Sequence, residues 1–334
     1  MPQELKDHLT ATEVGVLWKQ YMGATMAICA FDYFSAKSRD TEIQQVIDYA
    51  RQVTREKKGR IEAIMRSDSY PLPVGFTEND VDTQAQPLYS DRFALSYVRA
   101  MARFALTTYG LSLTTSLRED VRKHFHASIS EVKEIDERAA QVEKTKGLSL
   151  REPYISSPEK AEFVQDGSFL GGFFAEKRPL SVVEIANILM GSHHNTTVSA
   201  FLMGFAQTAG SKELREFFLR CKQITQKQAA VLSDMLTSND LPAPMSFGSE
   251  VTASTVAPFS DKLMLQHTTL ILQAGLSYYG MALGLMARVD LTASYVRLMT
   301  EMIQVLEDAQ MLMIRHKWLE QPPLAEDRRA LVLR

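Results

Sequence analysis

The sequence predicts an all-α fold built from two tandem four-helix bundles. Three observations carry that expectation: an internal repeat, helical apolar stripes opened by capping residues, and a long proline-bearing stretch inside each copy. The repeat is visible directly. Pro71, Pro73 and Phe76 recur as Pro242, Pro244 and Phe247, and Ser90-Asp91-Arg92 recurs as Ser260-Asp261-Lys262. Tyr109-Gly110 matches Tyr279-Gly280, Arg118 and Asp120 match Arg288 and Asp290, and Pro153 matches Pro323. Order is kept and the offset stays near 170 residues. The expected units are a first bundle over 1–153, a linker over 154–179 and a second bundle over 180–334.

The first helix of each copy opens at a capping box, Thr10-x-x-Glu13 and Ser181-x-x-Glu184. There a hydroxyl accepts from a backbone N–H and the glutamate reaches back to the cap. Val14, Leu17, Tyr21, Thr25, Ile28 and Asp32 then follow one helical stripe, as do Ile185, Leu189, His193, Thr196, Ala200 and Met203. Polar breaks at Ser38-Arg39-Asp40 and Gly210-Ser211 start the second helix. Its stripe includes Ile43, Val46, Ile47, Val53, Ile61, Ile64 and Met65, matched by Leu214, Phe217, Phe218, Ile224, Val231 and Leu232.

Stretches near 69–90 and 239–260, rich in Pro and polar residues, separate the second and third helices. Pro-x-Pro-x-x-Phe favours extended backbone with one aromatic anchor. A helix of about 28 residues is roughly 42 Å long, and about twenty extended residues cover roughly 66 Å. Each stretch can therefore return along its bundle and make helices two and three parallel. One long crossover at that place is the ferritin-like arrangement. The third helix starts at Ser90-Asp91 or Ser260-Asp261, good residues for a helix N-terminus. The fourth starts at Asp120 or Asp290 and runs to about residue 145 or 317. Arg118 and Arg288 are expected to end helix three and clamp those aspartates. The linker carries an apolar element, Phe169 to Phe174, expected to dock on protein.

Composition narrows the function classes. The chain has 45% apolar and 23% charged residues and a net charge of −3, values of an ordinary globular protein. Nothing electrostatic favours nucleic acid or an anionic membrane as partner. The basic run Arg55-Glu56-Lys57-Lys58 is interrupted by an acid and reads as a solvated helix face. Cys29 and Cys221 read as buried free thiols of a reducing compartment. No signal peptide pattern begins the sequence and no apolar run is long enough for a transmembrane segment, so the expected location is cytoplasmic.

For chemistry, a ferritin-like di-iron centre needs inward carboxylates plus Glu-x-x-His pairs, and no helix carries a Glu-x-x-His. The repeated acids Glu131 and Glu301, and Glu137 and Glu307, are candidates for an interior carboxylate. The preferred reading pairs them with Tyr109, Tyr279 or an arginine to fix helix register. His193, His194 and His267 occur only in the second copy, where the first has Met22, Gly23 and Tyr97. With Glu301 they form the candidate metal site, suited to Fe or Zn. Adjacent histidines point about 100° apart, so at most one of His193 and His194 faces the core. The favoured expectation is no cofactor. His124 and His126 carry less weight, and no nucleophile motif or phosphate-binding glycine loop is present. Tyr109-Gly110 and Tyr279-Gly280 read as points of close helix packing, and the sixteen methionines as core filler.

With the tandem unit, the Pro-x-Pro-x-x-Phe crossover and the Tyr-Gly helix established, the chain resembles an uncharacterised family of endospore-forming Firmicutes, often found as two copies in one polypeptide. That family is similar to spore coat protein F-like proteins and falls in the ferritin-like superfamily. The resemblance spans about residues 8–320. It implies helical bundles and a link to sporulation or the spore coat, with no catalytic residues to carry over. The resulting expectation is a non-enzymatic structural or interaction protein that self-associates or binds protein partners. The alternative is a metal- or small-ligand-binding protein with its site in the second bundle.

Overall fold

The computed structural model describes residues 8–148, 152–171 and 177–329. Helices α1 (Ala11–Lys37), α2 (Thr41–Ser67), α3 (Asp91–Thr115) and α4 (Glu119–Thr145) form one bundle. Helices α5 (Val182–Thr208), α6 (Lys212–Thr237), α7 (Asp261–Leu283) and α8 (Val289–Arg315) form the other. The sequence caps place these starts correctly. Thr10 and Ser181 make complete capping boxes, and Asp40, Ser90, Ser211 and Ser260 cap their helices through side-chain oxygens. Arg118 and Arg288 are N-terminal residues of α4 and α8 rather than the ends of the helices before them. They do clamp their aspartates, Arg118 Nε donating to Asp120 at 2.7 Å and Arg288 Nη2 to Asp290 at 2.8 Å.

Hydrogen bonds at the helix ends fix the directions. Glu13, at the start of α1, accepts from the backbone of Leu117 and Arg118 at the α3–α4 corner. Asp68, ending α2, accepts from the backbone N–H of Leu9 and pairs with Arg118. At the other end Asp91, opening α3, accepts from the N–H groups of Arg39 and Asp40, and Lys146 after α4 pairs with Asp40. Helices α2 and α3 therefore run parallel, and 68–90 is the crossover between them. Glu184, Arg288, Asp261 and Glu213 repeat the pattern in the second bundle.

The crossovers do more than return along their own bundles. Among the described residues the β-type pairing is between them: Val81 with Phe259 and Tyr89 with Val251. Ser260 Oγ donates to Asp80 at 2.7 Å, and Ser90 Oγ donates to Glu250 at 2.5 Å. Each third helix is thus capped in part by an acid from the other copy. The Pro-x-Pro-x-x-Phe anchors are exchanged as well: Arg92 lies over Phe247 and Lys262 over Phe76. Glu320, after α8, accepts from the backbone of Val74 and Gly75 in the first crossover.

An aromatic stack continues this seam inward. Tyr89, Phe93 and Tyr97 of the first copy pack on Phe201, and Tyr89 donates to the Phe201 carbonyl at 2.7 Å. Gly204 permits it, since a Cβ there would lie 2.2 Å from the Tyr89 hydroxyl. One buried apolar cluster runs from Met26 through both bundles to Met313. A second, smaller one, including Leu17, Ile61 and Phe125, occupies the far end of the first bundle. Buried polar residues Gln20, Thr54, Lys57 and Ser128 lie between the two. Phe169 sits under the Arg178 guanidinium, 3.9 Å from the ring centre; Gly172, Phe173 and Phe174 fall outside the described residues.

Candidate functional site

The structure does not bring His193, His194, His267 and Glu301 together. His267 is fully buried on the seam, its Nε2 3.0 Å from the hydroxyl of Tyr97, the residue it matches in the repeat. Burial pushes its pKa down to about 3, so the ring is neutral. The His194 Nε2 lies 3.0 Å from the Ile271 carbonyl and its ring is edge-on to Tyr278. His193 and His194 are both half-buried and both line a groove of about 700 Å³ between the bundles, so the pair is not divided between core and groove. Glu301 is on another helix face, pairing with Lys227 at 2.7 Å. Among the described residues no three His, Cys, Asp or Glu side chains converge as metal ligands.

The other repeated acids divide between pairing and exposure. Glu131 accepts from Arg60 at 2.6 Å. In the second copy the cation for Glu301 comes from one turn earlier on the matching helix, which preserves the helix-two to helix-four tie. Glu137 and Glu307 lie on outer faces, Glu137 beside Lys133 at 3.3 Å. Gly110 and Gly280, expected at close packing points, have open space where a Cβ would sit.

The bundle centres differ between copies in a way that decides their chemistry. In the second, the Tyr279 hydroxyl meets Asn195 at 2.6 Å and Gln228 at 3.0 Å, and Gln228 donates to the Leu298 carbonyl. Neutral side chains thus meet at the centre of this bundle, although Asn195 Oδ1 and the Tyr295 hydroxyl are buried without a partner among the described residues. In the first, Ala24 stands for Asn195 and Lys57 for Gln228. Lys57, read from sequence as part of a solvated face, is buried beside Tyr109, its Nζ 5.0 Å from the ring centre. It continues the stripe of Val53, Ile61 and Ile64, which is the signal that could have found it.

Two comparisons bear on identity. The sequence profile of a family described as "Protein of unknown function (DUF3231)" matches residues 2–161 and again 168–331. The chain belongs to this family. Among solved structures, a "putative spore coat protein" from Bacillus halodurans C-125 is similar at 20% identity, covering 46% of this chain and 99% of that one, with a TM-score of 0.41. No curated protein matches.

Within this duplicated unit the outer faces of α4 and α8 are unlike. Val289, Val296, Ile303, Met311 and Ile314 follow one side of α8 and are 49–54% exposed. Their counterparts on α4 are Glu119, His126, Lys133, Gln141 and Lys144. Sequence reading missed this stripe because, apart from the histidines, it compared the copies where they agree. Among the described residues no helix is long and apolar enough to cross a membrane.

Proposed function

We propose that this protein is a non-enzymatic helical interaction protein that pairs with a second copy of itself through the outer face of α8. The observation that carries the reading is the apolar stripe on α8, set against the charged and polar face that the same scaffold presents on α4. A row of exposed apolar side chains along one helix, here interrupted by polar residues, marks an interaction face. The charges flanking the stripe favour a second copy. Ile303 replaces the lysine that pairs with Glu137 in the first bundle, and Glu307 has no ion-pair partner among the described residues; nor does the exposed Arg297, ten residues earlier on α8. An antiparallel pairing centred near Ile303 sets each Arg297 against the other copy's Glu307. The sequence resemblance to spore coat protein F-like proteins extends the proposal to assembly during sporulation.

Light-scattering mass measurement tests the pairing. The wild type is expected as a dimer and Ile303→Lys, which restores the first copy's residue, as a monomer. A charge-exchanged Arg297→Glu/Glu307→Arg chain should dimerise again, whereas Glu307→Arg alone should not. A wild type that stays monomeric at every concentration refutes it.

A further inference from the structure

The first bundle contains a cavity of about 710 Å³ between α1 and α3, closed on one side by α7 of the second bundle. That volume is within the usual range of small-molecule sites. Apolar side chains such as Phe31, Val98, Met101 and Leu276 line it, and its inner end reaches Lys57, Gln20 and Tyr109. No aspartate or glutamate lines it. Lys57 is only 3% exposed, and among the described residues no carboxylate pairs with it. The Gln20 amide nitrogen is buried without an acceptor, while its oxygen lies 2.7 Å from His124 Nε2. His124 is held neutral, its pKa pushed down to about 3 by burial and then by the charges of Arg60 and Lys57, so it brings no anion.

A buried ammonium without a counter-charge is costly, and a single cation–π contact returns only part of that cost. At the matching level of the second bundle, Asn195 and Gln228 fill the space and bond to the tyrosine, with no charge placed there. The first copy departs from that solution with Gly23, Ala24 and Lys57, which open the space and place a charge at its end. A Cβ on Gly23 would meet nothing within 4 Å. The groove containing His193 offers no such unmet charge, since Arg99 and Arg103 there face Asp136 and Arg92 faces Glu250.

We propose that the first bundle binds a carboxylic acid with an apolar chain. The carboxylate rests on the Lys57 ammonium and the Gln20 amide, and the tail lies between α1, α3 and α7. The proposal is independent of pairing through α8, and measuring it on the Ile303→Lys chain as well keeps the two apart.

Calorimetric titration of the full chain with decanoate provides the test, with 1-decanol as the uncharged tail. The expected result is one decanoate per chain, weakened roughly 10- to 100-fold in Lys57→Met, the loss of one charge-assisted contact. Decanol binding should hardly change in that variant. Lys57→Met should melt no lower than wild type, because it removes an uncompensated charge, so misfolding cannot imitate the result. Ala102→Leu, which copies Leu272 of the second bundle into the cavity wall, should weaken both ligands. A wild type that ignores decanoate overturns the proposal, as does Lys57→Met binding decanoate like wild type.

Discussion

Replacing Glu184 by glutamine removes the carboxylate that ties the linker, the start of α5 and the α7–α8 corner together. Its side chain is fully buried and accepts two bonds from the Arg178 guanidinium, at 2.8 and 2.9 Å. It also accepts from the Ser181 N–H at 2.8 Å and from the Arg288 N–H at 3.1 Å. Burial alone works to raise its pKa, but Arg178 and these N–H groups overcome it and hold the value at about 2, against an ordinary 4.5. That difference is worth roughly 3 kcal/mol at neutral pH. Because the folded value is the depressed one, the stabilisation is complete above about pH 4.5 and is lost as pH falls toward 2. Arg178 keeps its bonds to the Phe169 and Pro179 carbonyls in the variant, so the expected loss is about 2–4 kcal/mol rather than the full penalty of a broken buried pair. Urea unfolding across pH measures it: the gap between wild type and Glu184→Gln should be constant from pH 7 to 5 and close between 4.5 and 2. Glu13 supplies an internal control. It is equally buried and its pKa is lowered, burial opposing and the Arg118, Thr10 and Leu117 N–H groups prevailing. It has no guanidinium pair among the described residues, so Glu13→Gln should lose only about 1–2 kcal/mol. A Glu184→Gln chain within 0.5 kcal/mol of wild type, or a gap indifferent to pH, would refute the reasoning.

Two further outcomes follow from the seam. His267, neutral in the folded chain with its pKa near 3, should show no NMR titration between pH 8 and 4.5; its contribution to stability is present above the ordinary 6.5 and declines as pH drops toward 3. His267→Phe leaves the Tyr97 hydroxyl buried and unpaired, an expected loss of about 1–3 kcal/mol by urea unfolding. Alanine at both Asp80 and Glu250 removes the carboxylates that hold the Ser260 and Ser90 hydroxyls, and hydrogen exchange at the Leu263 and Phe93 amides, which donate to those hydroxyls, should accelerate together; unchanged protection at both would show that the lent carboxylates hold nothing.

The helices were legible in the sequence because what starts them is local. Thr10, Ser181, Ser90 and Ser260 each answer N–H groups within three residues, and the stripes that follow need only the helical period. The crossovers were legible as travelling segments, but not as partners. Asp80 meets Ser260 across 180 residues of sequence, and nothing in either segment states that distant pairing. The exchange of Phe76 and Phe247 between copies was hidden for the same reason. The histidines misled because chemical type outweighed position: His267 is the counterpart of Tyr97 and bonds to it, so a repeat-aware reading could have matched them as a pair across a seam. Lys57 was hidden by its neighbours, since a run of charges looks solvated unless one member is tested against the stripe on which it falls.

The asymmetry between copies gives a physical reason for carrying both in one chain. Each bundle alone would present a third helix whose cap lacks the acid now lent by the other copy's crossover. Joined, α3 and α7 lie against one another through Tyr97 and His267, and the copies are then free to diverge at their centres and outer faces. The second bundle closes its centre with Asn195, Tyr279 and Gln228, and carries the apolar stripe outside. The first keeps a charged, polar layer that splits its core and leaves the outside of α4 polar. The cavity beside that layer takes one wall from the second bundle, because Leu270 and Leu276 of α7 line it. A first copy cut free of the second would therefore keep Lys57 but lose the wall that shelters the ligand's tail, so the first copy's cavity depends on the tandem arrangement.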